Sequence, residues 1–484
     1  MPEHRRATAD FDLLGWPAIG SVLRWRHTRA AFQLVLLVAA IVVVLHGVFG
    51  PQIGPNNLAT VLTWVHYRGL LIGALLAVGN VFCMGCPFVL VRDAGRRLHL
   101  PRLKWPRRLR SKCIGLALFV GVLYAYELFD LWALPRATAL LVIGYFAAAF
   151  AIDLVFSGAT FCKYLCPIGQ FNFIASTMSP LELRVREQDT CRTCRTVDCI
   201  KGRRLPEAPQ VILQRGCELG LFLPVKVGNM DCTFCLDCVQ ACPHDNIGIV
   251  ARVPGAELVD GRRRSGIGRF TRRADIAALS VLFVFGAMLN AFGMVAPVHR
   301  VEQWLASAMG VASEAVLLAV LFVAVLAVAP IVMIGGAAAL TEWLTGGKIR
   351  QIGRTAVHYS YALVPFGFGM WLAHYGFHLL TGVLTFVPVA QSAMLDLFGW
   401  PVLGDPRWQW VGMRPGAVFP FQLGSILLGT IGSVAVAYLV SEREYPDRPG
   451  PPTLPWAVAA LTLAAIATWI IMQPMEMRGV GFAG

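Results

Sequence analysis

The sequence predicts a mainly α-helical, polytopic membrane protein of about nine spans, with one ferredoxin-like α+β domain inserted on the cytoplasmic side. Hydrophobic residues make up 56% of the 484 residues, and charged residues make up 14%, against roughly 25% in soluble domains. The mean hydropathy is +0.62. The apolar residues gather in segments long enough to cross a bilayer, and one long polar interruption separates the fourth segment from the fifth.

Each predicted span is an apolar segment of about 20 residues, the length of helix that crosses a hydrocarbon core roughly 30 Å thick. Nine such segments lie near residues 31–50, 69–91, 113–134, 137–157, 275–297, 314–338, 356–384, 420–441 and 455–473. They divide the chain into a four-helix membrane region (1–157), the inserted domain (158–274) and a five-helix membrane region (275–484).

Basic residues between the segments predict how the chain is oriented. The loop at 92–112 carries nine basic residues and the stretch 24–29 carries three, whereas the loops at 51–68 and 298–313 hold one each. The positive-inside rule then places the N-terminus and the inserted domain in the cytoplasm and, after nine crossings, the C-terminus in the periplasm. We expect a multi-pass protein of a bacterial inner membrane, in contact with lipid. The net charge of +14 sets topology in this interpretation and does not indicate nucleic-acid binding.

Most of the 13 cysteines lie in the inserted domain, where cytoplasmic exposure favours metal ligation over disulfides. One stretch, "DCTFCLDCVQACP", has the spacing C-x2-C-x2-C-x3-C-P at Cys232, Cys235, Cys238 and Cys242. This spacing gives three thiolates to one [4Fe-4S] cluster and the fourth to a neighbouring cluster. A structural zinc site is the alternative, but four closely spaced cysteines ending in Cys-Pro are hard to close around one tetrahedral ion.

The neighbouring cluster needs thiolates of its own. Four further cysteines of the domain supply them, namely Cys191, Cys194, Cys199 and Cys217. By analogy with two-cluster ferredoxins, one cluster is expected on Cys191, Cys194, Cys199 and Cys242, and the other on Cys217, Cys232, Cys235 and Cys238. Four residues separate Cys194 from Cys199, and 17 separate Cys199 from Cys217, which departs from the standard motif. The fourth ligand of each cluster therefore rests on the analogy.

Two further cysteine pairs lie where predicted spans meet the cytoplasm. The stretch "CMGCP" contains Cys83 and Cys86, and "CKYLCP" contains Cys162 and Cys166. Together with the two-cluster motif, these pairs resemble the membrane polyferredoxin family that includes NapH, NosR and CcoG (RdxA), over roughly residues 60–250. The second pair matches the family's Cys-x3-Cys-Pro motif, whereas the first pair has only two intervening residues.

The resemblance implies an iron-sulfur electron-transfer protein tied to the quinone pool or to a soluble or periplasmic redox partner. The direction of electron flow is open, and so is the role of the four thiols. They could form a third metal centre, a dithiol switch or a transient copper site, or they could be small apolar residues at helix ends. The alternative functions are accordingly a copper-reducing assembly factor for a metalloenzyme, or a redox sensor.

Polar side chains inside predicted spans are costly and mark candidate functional sites. The stretch "WLAHYGFHLL" sets His374 and His378 one turn apart on one face of the seventh segment. His46 and Glu127 lie near the same outer end of the first and third segments. We expect this group to bind quinone and take up its protons, or to ligate haem b or copper. Haem would need a partner such as His46 from another helix. The alternative is that each histidine only hydrogen-bonds a neighbouring helix.

Overall fold

The computed structural model describes residues 11–96 and 103–475, and most of these residues are helical. The long helices are α1 (Thr28–Phe49), α2 (Leu58–Ala77), α3 (Cys113–Leu128), α4 (Pro135–Val155), α5 (Ala274–Phe292), α6 (Glu314–Leu344), α7 (Ile349–Thr381), α8 (Pro415–Glu444) and α9 (Gly450–Ile471). Among the described residues, seven helices are long and apolar enough to span a membrane. An eighth span results if α7 and the helix Phe386–Phe398, bent by 60°, are taken together. The predicted mainly α, polytopic fold is thus confirmed.

The second predicted span, 69–91, is wrong in its bounds. The helix starts earlier, at Leu58, where the side chain of Asn57 caps it by accepting from the N–H of Ala59. It also ends earlier, because Gly79 adopts a left-handed backbone with φ of 84° just after α2. The chain continues in the short helix Val81–Met84. Cys83 and Cys86 therefore lie in the break that follows the span rather than inside a span.

The third predicted span, 113–134, is also too long. Its helix has 16 residues and ends at Leu128. Asp130 then adopts a left-handed backbone with φ of 42°, and Pro135 begins α4. A helix this short is apolar but falls below the length of about 20 residues that crosses a bilayer unaided.

The inserted domain lies against one end of the helix bundle. Arg29 at the start of α1 pairs with Asp237 of the domain at 2.8 Å, and Arg443 at the end of α8 donates to the carbonyl oxygen of Val259 over 2.7 Å. At the opposite end, a backbone hydrogen bond joins the chain that follows α5 to the chain that follows α9. The start of α1 and the end of α8 therefore lie at the end of the bundle that faces the inserted domain, and the ends of α5 and α9 lie close to each other. Residues 97–102 of the basic loop used to predict the orientation lie outside the described residues.

The inserted domain contains two small antiparallel sheets. Its strands are β1 (Leu181–Val185), β2 (Arg203–Leu205), β3 (Ala208–Gln214) and β4 (Ile247–Ala251), with β1 paired to β4 and β2 paired to β3. Alternate residues of β1 are buried, as one apolar face of a strand requires. Its short helices are Gln188–Thr193, Asp198–Lys201, Asp237–Ala241 and Ala256–Val259.

One hydrophobic cluster contains buried side chains from both membrane regions. It includes Ile72 of α2, Phe283 of α5 and Trp371 of α7, all essentially inaccessible to solvent. The indole N–H of Trp371 donates to the carbonyl oxygen of Phe283 over 2.8 Å. Because this cluster also contains side chains of α3, α6, α8 and α9, the last five long helices pack as one unit with α2 and α3.

Candidate iron-sulfur sites and a membrane cavity

Four of the predicted ligand cysteines surround a small cavity in the inserted domain. The cavity has a volume of about 60 Å³, and its lining includes Cys191, Cys194, Cys199 and Cys242. The first three come from the helices Gln188–Thr193 and Asp198–Lys201 and the loop between them, and the fourth caps the helix Asp237–Ala241. We call these four the outer cysteine group; they are the set that the sequence assigns to one cluster.

Asn246 links two members of the outer cysteine group. Its backbone N–H donates to Cys242 Sγ and its side-chain amide donates to Cys191 Sγ, each over 3.4 Å. Two hydrogen bonds with the backbone of Glu187, of 2.9 and 2.7 Å, fix the orientation of the Asn246 amide. Hydrogen bonds of this kind stabilise negative charge on sulfur and tune iron-sulfur clusters.

The outer cysteines also interact electrostatically. Burial, together with the negative charge of Cys242 and Cys191, raises the pKa of Cys199 to about 11. A hydrogen bond from the backbone N–H of Val197 is the main cause that lowers the pKa of Cys194 to about 7. The thiolates are therefore close enough to repel one another, and a bound cation or cluster would relieve that repulsion.

The other four ligand cysteines form the inner cysteine group, which lies next to the membrane helices. Cys232, Cys235 and Cys238 are buried, and Cys217 is partly buried. Burial, followed by the charge of Cys217 and Cys232, raises the pKa of Cys238 well above its ordinary value. The backbone N–H of Cys217 donates to the carbonyl oxygen of Cys199 over 2.7 Å. This bond joins the two cysteine groups directly.

The loop that carries the inner cysteines has an unusual backbone. Asp231, Phe234 and Leu236 adopt left-handed φ values of 61°, 53° and 61°. Such a conformation costs energy in residues other than glycine and persists where the surroundings impose it. It turns backbone N–H groups into a concavity that binds anions, as in many iron-sulfur sites. The loop is thus shaped to enclose a negatively charged group.

The positions of the sulfur atoms argue against single metal ions. Thiolates that share one tetrahedral ion at roughly 2.3 Å lie about 3.8 Å apart. Among the described residues, only Cys235, Glu218 and Asp237 bring three such ligand atoms within 4.8 Å of one another. Arg29 already pairs with both of these carboxylates. Among the described residues, no three cysteine sulfurs thus have the spacing of one tetrahedral ion, and an all-thiolate donor set is the kind that iron-sulfur clusters use.

Both thiol pairs line a second, much larger cavity between the membrane helices. Its volume is about 690 Å³, and its lining includes Cys83, Cys86, Cys162 and Cys166. The backbone N–H of Gly169 donates to Cys166 Sγ over 3.3 Å. A side chain at Gly169 would place its Cβ 2.8 Å from the carbonyl oxygen of Cys162, so this approach of the backbone requires glycine.

A chain of amides connects this membrane cavity to the inner cysteine group. The side-chain amide of Asn172 donates to Cys83 Sγ over 3.1 Å and to Asn80 Oδ1 over 3.2 Å. Asn80 in turn donates to the carbonyl oxygen of Cys232 over 3.1 Å. Cys232 itself lines the cavity. The thiol pairs, the cavity and the inner cysteines thus form one continuous site.

The far wall of the membrane cavity comes from a π-helical stretch of α2, Val61–Tyr67, and π-helical turns are frequent at functional sites. His66 and Tyr67 line the cavity. Their Nε2 and Oη atoms are buried and have no hydrogen-bond partner in the part of the chain that the structure describes. The guanidinium of Arg68 lies 4.2 Å from the ring centre of Tyr126 and also lines the cavity.

The remaining lining of the membrane cavity is mostly apolar and reaches the outer surface of the bundle. Phe32 and Ala39 of α1 line the cavity and are also exposed, Phe32 by 47%. Tyr145 and Phe146 of α4 form part of the same wall. The cavity therefore opens sideways, toward the acyl chains that surround a protein in a membrane.

Both ring nitrogens of His46 are engaged by neighbouring residues. Its Nδ1 accepts a hydrogen bond from the N–H of Leu58, and its Nε2 bonds Asp396 Oδ2, both at 3.0 Å. His374 and His378 pack with ring centres 4.9 Å apart, and the Nε2 atom of each is buried without a partner among the described residues. With both nitrogens of His46 engaged, a haem held jointly by His46 and this pair has no support in the structure.

Glu127 is buried and accepts a hydrogen bond from the side-chain amide of Asn290 over 3.4 Å. It lies on the helix that also supplies Tyr126, beside Arg68. None of the residues predicted to form the histidine and glutamate site lines the membrane cavity, namely His46, Glu127, His374 and His378. The cavity is lined instead by His66 and Tyr67. The quinone binding that the sequence predicts at the end of the bundle far from the cysteines therefore has a second candidate location, nearer the cysteines.

Sequence reasoning missed Asn80, Asn172 and Tyr67. A signal for the first two was available, because an asparagine within an apolar stretch such as "AVGNVFC" or "GQFNF" is costly unless it is paired. Tyr67 carries no such signal, because tyrosine is common near membrane interfaces.

The chain is distantly similar to two known proteins. It is 24% identical over 198 residues to an uncharacterized protein of Methanocaldococcus jannaschii, a match that covers 39% of this chain and 70% of that protein. It is 28% identical over 92 residues to the putative electron transport protein YccM of Escherichia coli, covering 19% of this chain and 22% of that protein. No family model and no solved structure matches the chain. The likeness to YccM supports a redox role for a multi-pass membrane protein.

Proposed function

We propose that this protein is an iron-sulfur electron-transfer protein of a bacterial inner membrane, which links a redox partner on the side of the inserted domain to the quinone pool. The observation that carries the proposal is the membrane cavity, because Cys232 and apolar residues of the spans line the same space. The distant likeness to YccM points to the same kind of chemistry. The resemblance to the membrane polyferredoxins agrees with it.

Two [4Fe-4S] clusters would be held by the outer and inner cysteine groups. Such clusters accept and release single electrons, with potentials set by hydrogen bonds to sulfur and by burial. Asn246 supplies two of these bonds to the outer group, and the N–H of Leu221 donates to Cys217 Sγ over 3.3 Å in the inner group. Burial of the inner cysteines and the paired carboxylates beside them keep water from that group.

The membrane cavity fits a quinone. A volume of about 690 Å³ lies within the range of roughly 300–1,000 Å³ that holds small ligands, and an apolar lining with few polar atoms is typical of such sites. The sideways opening at Phe32 admits a ligand from the membrane. Quinone oxygens need hydrogen-bond donors, and the unpaired Tyr67 hydroxyl would supply one. The Nδ1 atom of His66 donates to the carbonyl oxygen of Val61 over 3.2 Å, so the free Nε2 atom of the neutral ring would accept from a quinol hydroxyl.

The test is to add quinol to the purified protein and record its electron paramagnetic resonance spectrum. We expect quinol to change the cluster signals of the unaltered protein. Tyr67→Phe should weaken quinone binding about fivefold, the effect of one lost hydrogen bond of about 1 kcal/mol. Tyr124→Phe is the matched control, because its hydroxyl bonds the carbonyl oxygen of Ala315 and does not line the cavity. Cluster signals that do not respond to quinol would refute the proposal.

A copper-reducing role is the second candidate function, and one observation favours it. The four thiols of the two pairs line one buried cavity next to the inner cysteine group. Sulfur is the ligand that Cu(I) prefers. If this role is correct, the purified protein will bind Cu(I) in a manner that Cys162→Ser abolishes, while the same variant keeps both clusters. Copper binding that survives this substitution would exclude the two thiol pairs as the copper site.

A further inference from the structure

We propose that a basic rim around the outer cysteine group docks an acidic, soluble electron-carrier protein. The basic rim consists of Arg192, Arg195, Lys201, Arg203 and Arg204. The inference rests on the proposed function, since a docking surface for a carrier has a purpose only if the outer group holds a redox cluster. It adds the place where the partner binds and the charge of that partner.

The basic rim is dense in charge and open to solvent. Residues 191–204 contain five basic side chains and one acidic one, Asp198, and all five basic residues are exposed. Arg192 pairs with Asp189 at 2.9 Å. Arg195 and Lys201 have no hydrogen-bond or ion-pair partner within the described residues, so their charge is directed entirely to solvent.

The charges near the inner cysteine group are arranged differently. Asp237 and Glu218 pair with Arg29, Glu218 also pairs with Arg92, and Asp231 pairs with Lys112 at 3.2 Å. These pairs are largely buried and their charges cancel. Of the two cysteine groups, the outer one is therefore the group that carries exposed positive charge. A second set of exposed basic residues, Arg262, Arg263, Arg269 and Arg272, lies in the stretch that leads directly into α5.

Exposed apolar side chains lie beside the basic rim. β3 pairs with β2, and it exposes Ile212 by 52% and Leu213 by 47%. As consecutive strand residues these two point to opposite faces of the ribbon. Arg203 and Arg204 lie on β2, so each face has an apolar side chain bordered by charge, as at a transient protein interface. The rim thus offers both long-range attraction and a short-range contact.

The observations favour a protein over an anionic lipid surface as the partner. The contacts between the inserted domain and the membrane helices come from the inner side, through Arg29 to Asp237 and Asn80 to Cys232. A soluble partner would meet the rim without displacing these contacts. Complementary charge raises association rates by about 10- to 1,000-fold, and the gain falls steeply with salt.

The experiment measures binding between the full chain, in nanodiscs of uncharged lipid, and an acidic [2Fe-2S] ferredoxin as the probe. Unaltered protein should bind the ferredoxin, and affinity should fall as salt rises. The double substitution Arg195→Glu with Lys201→Glu should reduce affinity at least tenfold. Lys348→Glu with Arg350→Glu is the matched control, because it reverses two exposed positive charges elsewhere on the same side of the bundle and should change affinity little.

Equal effects of the two double substitutions, or binding that ignores salt, would overturn the proposal. A second arm uses vesicles containing phosphatidylglycerol; if the rim substitutions abolish contact with vesicles but leave ferredoxin binding intact, the rim serves the membrane and the proposal is wrong. The cluster response to quinol is recorded for every variant. This response separates the proposed link to quinone from the proposed docking surface. An absent response in the unaltered protein would refute the link to quinone and would not depend on the rim.

Discussion

Asn80 donates a hydrogen bond from its side-chain amide to the carbonyl oxygen of Cys232, across 152 residues of sequence and a distance of 3.1 Å. Both groups are buried. The bond ties the end of α2 to the loop that carries the inner cysteine group, and Asn172 extends it to Cys83. The position of that loop relative to the membrane therefore depends on two amides.

Asn80→Ala is expected to destabilise the protein by about 1–3 kcal/mol, the cost of leaving buried partners without a hydrogen bond. The resonance spectrum of the inner cluster should shift, whereas that of the outer cluster should not. Thermal unfolding in detergent and resonance spectroscopy measure the two effects. Asn56→Ala, on the opposite side of the bundle, is the control. Equal spectral change in both clusters would contradict the assigned contact.

Single cysteine substitutions should separate the two groups. Cys242→Ser is expected to remove the outer cluster and Cys217→Ser the inner one. Iron content should fall by about half in each case, since each cluster holds about four irons. Cys113→Ser, at an exposed lone cysteine, should leave iron unchanged. Loss of the same signal in both variants would show that the ligands are grouped wrongly.

The contact between α2 and α7 should not tolerate a side chain at Gly69. An added Cβ would lie 2.4 Å from the Cβ of Leu379, so Gly69→Ala must push the helices apart, at a cost of about 1–3 kcal/mol. Gly73 lies on the same helix with nothing within 4 Å of an added Cβ. Gly73→Ala should therefore stabilise the helix by about 0.5–1 kcal/mol. Unfolding temperatures that move in the same direction would count against this packing.

Glu257 should make the stability of the inserted domain depend on acid pH. Burial alone would raise its pKa, but ion pairs with Arg252 at 2.8 Å and Arg264 at 3.0 Å outweigh burial, and the pKa lies below its ordinary value. A carboxylate with a lowered pKa stabilises the folded state above its unfolded pKa of about 4.3 and loses that effect as pH falls through the folded value.

Glu257→Gln is accordingly expected to cost about 3–5 kcal/mol at neutral pH, because it leaves buried arginines without their partner. The difference in free energy of unfolding between the variant and the unaltered protein should be constant from about pH 8 to pH 5 and should decrease only below about pH 4. Thermal unfolding across this range measures it, with Glu207→Gln as an exposed control. A difference that decreases already near neutral pH would mean that another group is responsible.

The apolar helices could be predicted from the sequence because the hydrophobic composition of a segment alone indicates whether it lies in the membrane. The prediction misplaced the bounds of α2 and α3, since single residues such as Gly79 and Asp130 end helices through backbone angles that hydropathy does not encode. The grouping of the cysteines into two sets of four rests on motif spacing and on the analogy with two-cluster ferredoxins, and it stays a prediction. The membrane cavity could not be predicted, because it depends on how helices distant in sequence pack around Tyr67 and Cys162.

The histidines illustrate the same limit. Sequence position brought His46, His374 and His378 to one end of the bundle, but the direction of each ring depends on its neighbours. Asp396, 350 residues away from His46, takes up one of its nitrogens. A residue pattern can therefore place a histidine at a depth in the membrane without identifying its partner.

The ion pairs that fasten the inserted domain also concern how the chain is made. Arg29, Arg92 and Lys112 flank the first spans, and by the positive-inside rule such cations would set the orientation of these spans during insertion. Their partners, Asp237, Glu218 and Asp231, leave the ribosome more than a hundred residues later. The same cations would first direct insertion and afterwards serve as counter-ions of the folded domain. They are thus already in place at the membrane surface, and their carboxylate partners pair with them when the domain folds.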